Sequence, residues 1–111
     1  MCGIAGLFSP SADAPRLFER SLLKRMTDAI AHRGPDDEGF LIEPHVALGH
    51  RRLSIIDIAA GHQPMFNEDG SVAVVFNGEI YNYRDLSTEL TAARHHFHTR
   101  TDTEDILHSW E

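Results

Sequence analysis

Apolar residues change their spacing repeatedly along this 111-residue chain without a regular alternation of strand and helix, and that irregular order constrains the fold most. Residues 2–8 are small and apolar, the composition of a buried strand whose glycines admit a close neighbour. Across residues 14–31, Phe18, Leu22, Met26 and Ile30 recur every four positions, which predicts an amphipathic helix with Pro15 in its first turn. Residues 32–39 hold turn formers and no apolar period, so a loop is expected there. Residues 40–42 and 46–48 read as a short hairpin, residues 53–58 as a strand, and residues 59–64 as a loop. Residues 72–76 are the strongest buried-strand signal. Leu86, Leu90 and Ala93 predict a helix from Tyr83, with Asn82 as its cap. Thr101 and Glu104 have capping-box spacing and open a last helix with Ile106, Leu107 and Trp110 on its apolar face. The mixed order favours an α+β fold.

Composition narrows the class further. With 41% hydrophobic and 24% charged residues, the chain has the makings of one small domain with a core and is too short for two. Seventeen acidic residues against ten basic ones leave a net charge of -7, which repels a phosphate backbone, so nucleic acid is not an expected partner. No apolar run reaches the roughly 20 residues of a membrane span, and the apolar start lacks the charged region of a signal peptide. A cytoplasmic protein without a membrane partner is expected.

The single cysteine, Cys2, asks for a chemical explanation. Met1 is commonly removed before a small second residue. Cys2 would then carry a nucleophile and a base on one residue, since an α-amine titrates near 7.7 to 8.0 and a thiol near 8.5. The alternative is a small buried hydrophobe near the terminus. Asn77-Gly78 likewise has two readings: a hairpin turn returning through residues 80–83, or an oxyanion hole formed by the Asn77 amide and the Gly78 N–H. Arg51 and Arg52 should point to opposite faces of a strand, so one of them at most can bind a carboxylate at a given site. Asp102 either complements a helix dipole or, with Glu79, holds an ammonium group. The cluster His95-His96-Phe97-His98 has neither paired cysteines nor a spaced acidic ligand set beside it, and a solvated turn rather than a metal site is expected. Gly34 and Gly39 do not form a phosphate loop, so no nucleotide site is visible.

Met1-Cys2-Gly3-Ile4-Ala5-Gly6, His32-Arg33-Gly34-Pro35-Asp36, Arg52-Leu53-Ser54-Ile55-Ile56-Asp57, Gln63-Pro64-Met65 and Asn77-Gly78-Glu79-Ile80-Tyr81-Asn82 together resemble a known family. It is the glutaminase domain of glutamine-dependent asparagine synthetases, among the class II amidotransferases of the N-terminal-nucleophile hydrolases. The cysteine start indicates the superfamily, and the middle motifs indicate the asparagine synthetase branch. By that resemblance Cys2 is the nucleophile, Asn77 and Gly78 form the oxyanion hole, and Arg52 binds the glutamine α-carboxylate. Glu79 and Asp102 bind its α-amine, and Leu53 and Ile55 line the pocket through backbone groups.

The resemblance implies hydrolysis of glutamine to glutamate and ammonia through a thioester, with ammonia passed to a synthetase domain that uses ATP and Mg²⁺ to amidate aspartate. It covers essentially all 111 residues, yet the family's glutaminase domain is nearly twice as long. The expected four-layer αββα sandwich is therefore incomplete at its C-terminal end, with an exposed sheet edge that favours self-association. The synthetase part and its Ser-Gly-Gly-x-Asp-Ser loop are absent from the sequence, so no cofactor is expected on this chain. The competing expectation is an inactive fragment that only binds glutamine or associates with another chain.

Overall fold

The strand that organises the fold is longer than its sequence pattern suggests. A computed structural model describes residues 1–11, 18–54 and 59–111. Its third strand, β3 (Val46–Arg52), lies between β1 (Gly3–Phe8) and β2 (Asp37–Glu43) in an antiparallel sheet of order β1-β3-β2. Gly3 pairs with Arg51 and Phe8 with Val46 on one side, while Asp37 pairs with Arg52 and Glu43 with Val46 on the other. Gly49, His50, Arg51 and Arg52 have little strand propensity of their own. A ladder on both flanks holds them extended, a case of tertiary context overriding propensity. The strand expected at residues 53–58 does not begin: Leu53 and Ser54 lie outside any strand, and residues 55–58 lie outside the described residues.

The first helix, α1 (Arg20–Ala29), buries Leu23 and Thr27, one position on from the predicted stripe of Leu22 and Met26, which are half-buried. Phe18 is buried just ahead of it, and residues 14–17 of the predicted helix lie outside the described residues. The rotation follows from Gly49. A Cβ there would come within 2.4 Å of Thr27 Cγ2 and 3.3 Å of Leu23 Cδ1, so the helix is seated on the bare backbone of the central strand. Phe18, Leu23 and Ala47 form the buried cluster, with Leu7 and Phe40 packed against it. Arg51 faces this side: its guanidinium lies 2.6 Å from Asp28 and 2.9 Å from Glu38, and its Nε donates to the Thr27 carbonyl at 3.2 Å.

The second layer of structure is a two-stranded pairing of β4 (Met65–Phe66) and β5 (Ala73–Val74), followed by α2 (Tyr83–Ala92) and α3 (Asp102–Trp110). The strand expected over residues 72–76 is thus reduced to two paired residues, half-buried. Beyond the short β4 partner, side chains serve its backbone instead: the Phe76 N–H donates to Gln63 Oε1 at 2.6 Å, and the Phe76 carbonyl accepts from His50 Nε2 at 3.2 Å. Nor does a return strand follow Asn77-Gly78. The Ile80 N–H donates to Asp102 Oδ2 at 2.8 Å, and a turn closed by the Tyr83 N–H on the Ile80 carbonyl leads into α2.

Helix α2 starts where its apolar spacing predicts, although the Asn82 side chain makes no capping hydrogen bond. At α3 the expected capping box does not form. Thr101 stands at the N-cap without capping the helix, and the Glu104 carboxylate reaches past it to accept the His98 and Thr99 N–H groups, each at 2.7 Å. Leu107 is buried as expected, but Trp110 is 78% exposed. Helix α3 packs on α2 and on the β4–β5 pair. Antiparallel sheets with segregated helices make the fold α+β. Among the described residues no helix is long and apolar enough to cross a membrane.

Candidate active site

A cleft of about 400 Å³ opens where the end of β3, the segment after β5 and the start of α3 converge beside the N-terminus. Its lining includes Cys2, Arg52, Leu53, Asn77, Gly78, Glu79 and Asp102, which are residues singled out in the sequence. They span nearly the whole chain and come together only through folding. Ile55 lies outside the described residues.

Each lining group has a local cause. Cys2 directly precedes β1, whose pairing with β3 brings it to the residue that follows β3: the Leu53 N–H donates to Cys2 Sγ at 3.3 Å. The thiol in turn lies 3.7 Å from the Leu53 carbonyl oxygen. Arg52, one residue past Arg51 on the strand, points to the opposite face and into the cleft, so strand alternation separates the two arginines as expected. Arg52 is only 6% exposed, and the bare backbone of Gly61 makes room for it, since a Cβ there would meet its guanidinium nitrogen at 2.1 Å.

Asn77, Gly78 and Glu79 are exposed on the rim of the cleft. Asp102, in the first turn of α3, is buried and fixes the loop from below through its bond to the Ile80 N–H. One guanidinium and two carboxylates thus line the same cleft and offer partners for both charges of a free amino acid. Met1 also lines the cleft, and while it is attached the Cys2 nitrogen is a peptide nitrogen.

Four residues with no role assigned from sequence hold this arrangement. Arg33 Nε donates to the Cys2 carbonyl at 3.0 Å, and Asp36 Oδ2 accepts the Ser54 N–H at 2.8 Å. Gln63, 5% exposed, takes the Phe76 N–H and donates to Thr103 Oγ1 at 3.2 Å, so one amide joins the segment before Asn77 to α3. His50, 1% exposed, holds the Phe76 carbonyl; burial pushes its pKa down, against the Phe76 hydrogen bond, so the ring is neutral with Nε2–H as donor. Arg33, Asp36 and Gln63 stand in motifs that marked the resemblance. His50 had no sequence signal.

Of the histidine cluster, His96 and His98 are exposed, whereas His95 lies beside His108 and Glu111 at the far end of α3. An acidic partner therefore does accompany the cluster, brought from 16 residues further on. Linear spacing did not reveal it.

This fold and cleft belong to a chain that matches the glutamine amidotransferase domain family over residues 1–111. The chain is a member of that family. Among its relatives, the glutamine-hydrolysing asparagine synthetase 2 of Bacillus subtilis is 47% identical over 111 residues, covering 100% of this chain and 15% of the relative. Asparagine synthetase 1 of the same organism is 46% identical over 107 residues, 96% of this chain and 17% of its own length. Asparagine synthetase 2 of rice, Oryza sativa, is 41% identical over all of this chain and 18% of its own length. The chain thus spans less than a fifth of these relatives.

Proposed function

We propose that the cleft hydrolyses the side-chain amide of glutamine once Met1 is removed, with Cys2 as the nucleophile. The observation that carries this reading is the position of Cys2 Sγ in a cleft that also contains Arg52, Asn77, Gly78, Glu79 and Asp102. Arg52 would take the α-carboxylate of the substrate, Glu79 and Asp102 its α-ammonium, and Leu53 and Ile55 would line the pocket through backbone groups.

The thiol passes its proton to the freed Cys2 amine and attacks the amide carbon. Negative charge on the carbonyl oxygen is taken by the Asn77 side-chain amide and the Gly78 N–H. Collapse returns the electron pair, the Cys2 ammonium protonates the departing nitrogen, and ammonia leaves a γ-glutamyl thioester. Water then attacks the thioester, releasing glutamate and the thiol. Splitting the reaction in this way lets ammonia depart before water enters.

In this reading residues 1–111 are part of a class II glutaminase domain, a portion of a four-layer αββα sandwich. The ammonia would serve an asparagine-synthetase-like partner domain that amidates aspartate. ATP and Mg²⁺ would act there, since this sequence has no pyrophosphate loop of the Ser-Gly-Gly-x-Asp-Ser type. The test compares ammonia release by the chain with and without Met1, verified by intact mass. Release by the trimmed chain alone is expected; equal release with Met1 in place would overturn the role of the free amine, and binding of glutamine without release from either form would favour a binding module.

A further inference from the structure

Helix α3 carries Asp102 at its first turn and a different set of groups at its other end, roughly 9–14 Å away at 1.5 Å per residue. There His95 Nδ1, His108 Nδ1 and one oxygen of Glu111 converge. Glu111 Oε2 is 2.9 Å from His108 Nδ1 and 3.2 Å from His95 Nδ1, and the three ligand atoms all lie within 4.8 Å of one another. Bonds of about 2.0–2.2 Å to a tetrahedral metal place neighbouring donors a little over 3 Å apart, which the two edges to Glu111 already match, and the two imidazoles would draw together from within 4.8 Å on binding. Glu68 Oε1, 4.0 Å from His108 Nδ1, stands where a fourth donor could enter.

We propose that His95, His108 and Glu111 form a binding site for a divalent transition-metal ion of the zinc class. Two imidazoles and one carboxylate, with an open fourth position, match that chemistry. The site is built rather than a chance surface grouping. The His108 side chain is 2% exposed, its ring packs edge-on to Phe97 at 4.6 Å, and its Nε2 is buried without a hydrogen-bond partner. That nitrogen lies 3.5 Å from Glu104 Oε1, so a small approach would let this carboxylate orient a metal-bound imidazole. Glu104 itself is fixed by the His98 and Thr99 N–H groups and the Thr99 hydroxyl, while Glu111 Oε1 accepts from Asn67 at 2.8 Å.

The local field favours a cation. The carboxylates of Glu111, Glu104 and Glu68 lie 2.9, 3.5 and 4.0 Å from the His108 ring nitrogens. In place of a proton shared with Glu111, a metal would satisfy both histidines and the carboxylate at once. His95 and Glu111 are partly exposed, which gives the ion a path from solvent. The bound ion would join the loop before α3 to the end of that helix.

The test is Zn²⁺ titration by calorimetry on the 111-residue chain carrying Cys2→Ser, which removes the thiol as a competing ligand. One equivalent is expected to bind, with at least a tenfold loss of affinity in His95→Ala and in Glu111→Gln. Glu104→Gln should weaken binding about 10-fold or more by removing the carboxylate charge beside His108 Nε2. Circular dichroism of each variant without metal checks that it is folded, and the two partly exposed ligands provide variants that leave the buried His108 itself unsubstituted. Absence of stoichiometric binding, or stoichiometric binding unchanged in both His95→Ala and Glu111→Gln, would overturn the assignment.

Discussion

The Leu53 backbone N–H donates to the Cys2 sulfur at 3.3 Å, so the residue just after the central strand grips the residue just before the chain's first strand. A fixed N–H beside sulfur stabilises negative charge as it forms, and it does so without reorganisation. Cys2→Ala removes the acceptor and the nucleophile together. Ammonia release should fall by on the order of a thousandfold or more. In the same variant the Leu53 amide resonance should move, being deprived of its partner. Release at a tenth of the original rate would refute the nucleophile assignment, and an unmoved Leu53 resonance would refute the contact.

Arg52 and Gly61 are coupled through space, because the missing Cβ of Gly61 is the room that the guanidinium occupies. Loss of a charge-assisted contact to a carboxylate costs about 1.5–3 kcal/mol, so Arg52→Ala should raise the KM for glutamine by roughly 10- to 100-fold with kcat little changed. Gly61→Ala should act in the same direction by displacing the guanidinium. Steady-state kinetics on both variants checks this, and a fall in kcat at saturating glutamine with KM unchanged would contradict the role.

How far the sequence led to this cleft depends on which interactions are local. The α2 start and the burial of Leu107 follow from periodicity within one helix, and Arg51 and Arg52 diverge as strand geometry requires. The length of β3 was hidden because it comes from two flanking strands rather than from its own residues. Residues 72–76 were over-read as strand because their composition does not reveal that Gln63 and His50 side chains, rather than a neighbouring strand, bond Phe76. His50 itself was invisible for the same reason: its partner lies 26 residues away. One motif located Asn77, Gly78 and Glu79, Asp102 was singled out in the first turn of the last helix, and the folded chain places all four on one cleft.

Arg33 donates through Nε to the Cys2 carbonyl, holding the residue that supplies the sulfur. Arg33→Met keeps the apolar stem and removes the donor. A misplaced nucleophile loses orientation rather than binding, so kcat should fall about tenfold or more while KM stays near its original value. A rise in KM alone would assign Arg33 to substrate binding instead.

Asp105 is fully buried, with Oδ1 accepting from Ser87 at 2.8 Å and Oδ2 without a hydrogen-bond partner. Burial raises its pKa above the ordinary carboxylate value, opposed by the Ser87 hydrogen bond and reinforced by the Asp102 and Glu104 charges. A carboxyl with a raised folded pKa destabilises the fold once pH exceeds its unfolded value, and that penalty vanishes below it. Asp105→Asn should therefore raise the denaturation midpoint at neutral pH, and the advantage should disappear as pH falls below about 4. An equal advantage at both pH values would show that packing, not charge, is responsible.

Gly49 lets α1 rest on β3, and the tightest contact that a side chain would make there is with Thr27 Cγ2 at 2.4 Å. Gly49→Ala should destabilise the chain by about 1–3 kcal/mol, because overpacking forces the helix away from the sheet. Thr27→Ser deletes that methyl while keeping the hydroxyl, which donates to the Lys24 carbonyl at 3.0 Å. In the Gly49→Ala background it should restore part of the lost stability, whereas alone it should cost stability by opening a small void. Leu23 Cδ1, at 3.3 Å from the added carbon, would still be tight, so recovery should be incomplete. A denaturant double-mutant cycle measures the coupling. Additive effects of the two substitutions would mean that the helix is not seated on the strand through this contact.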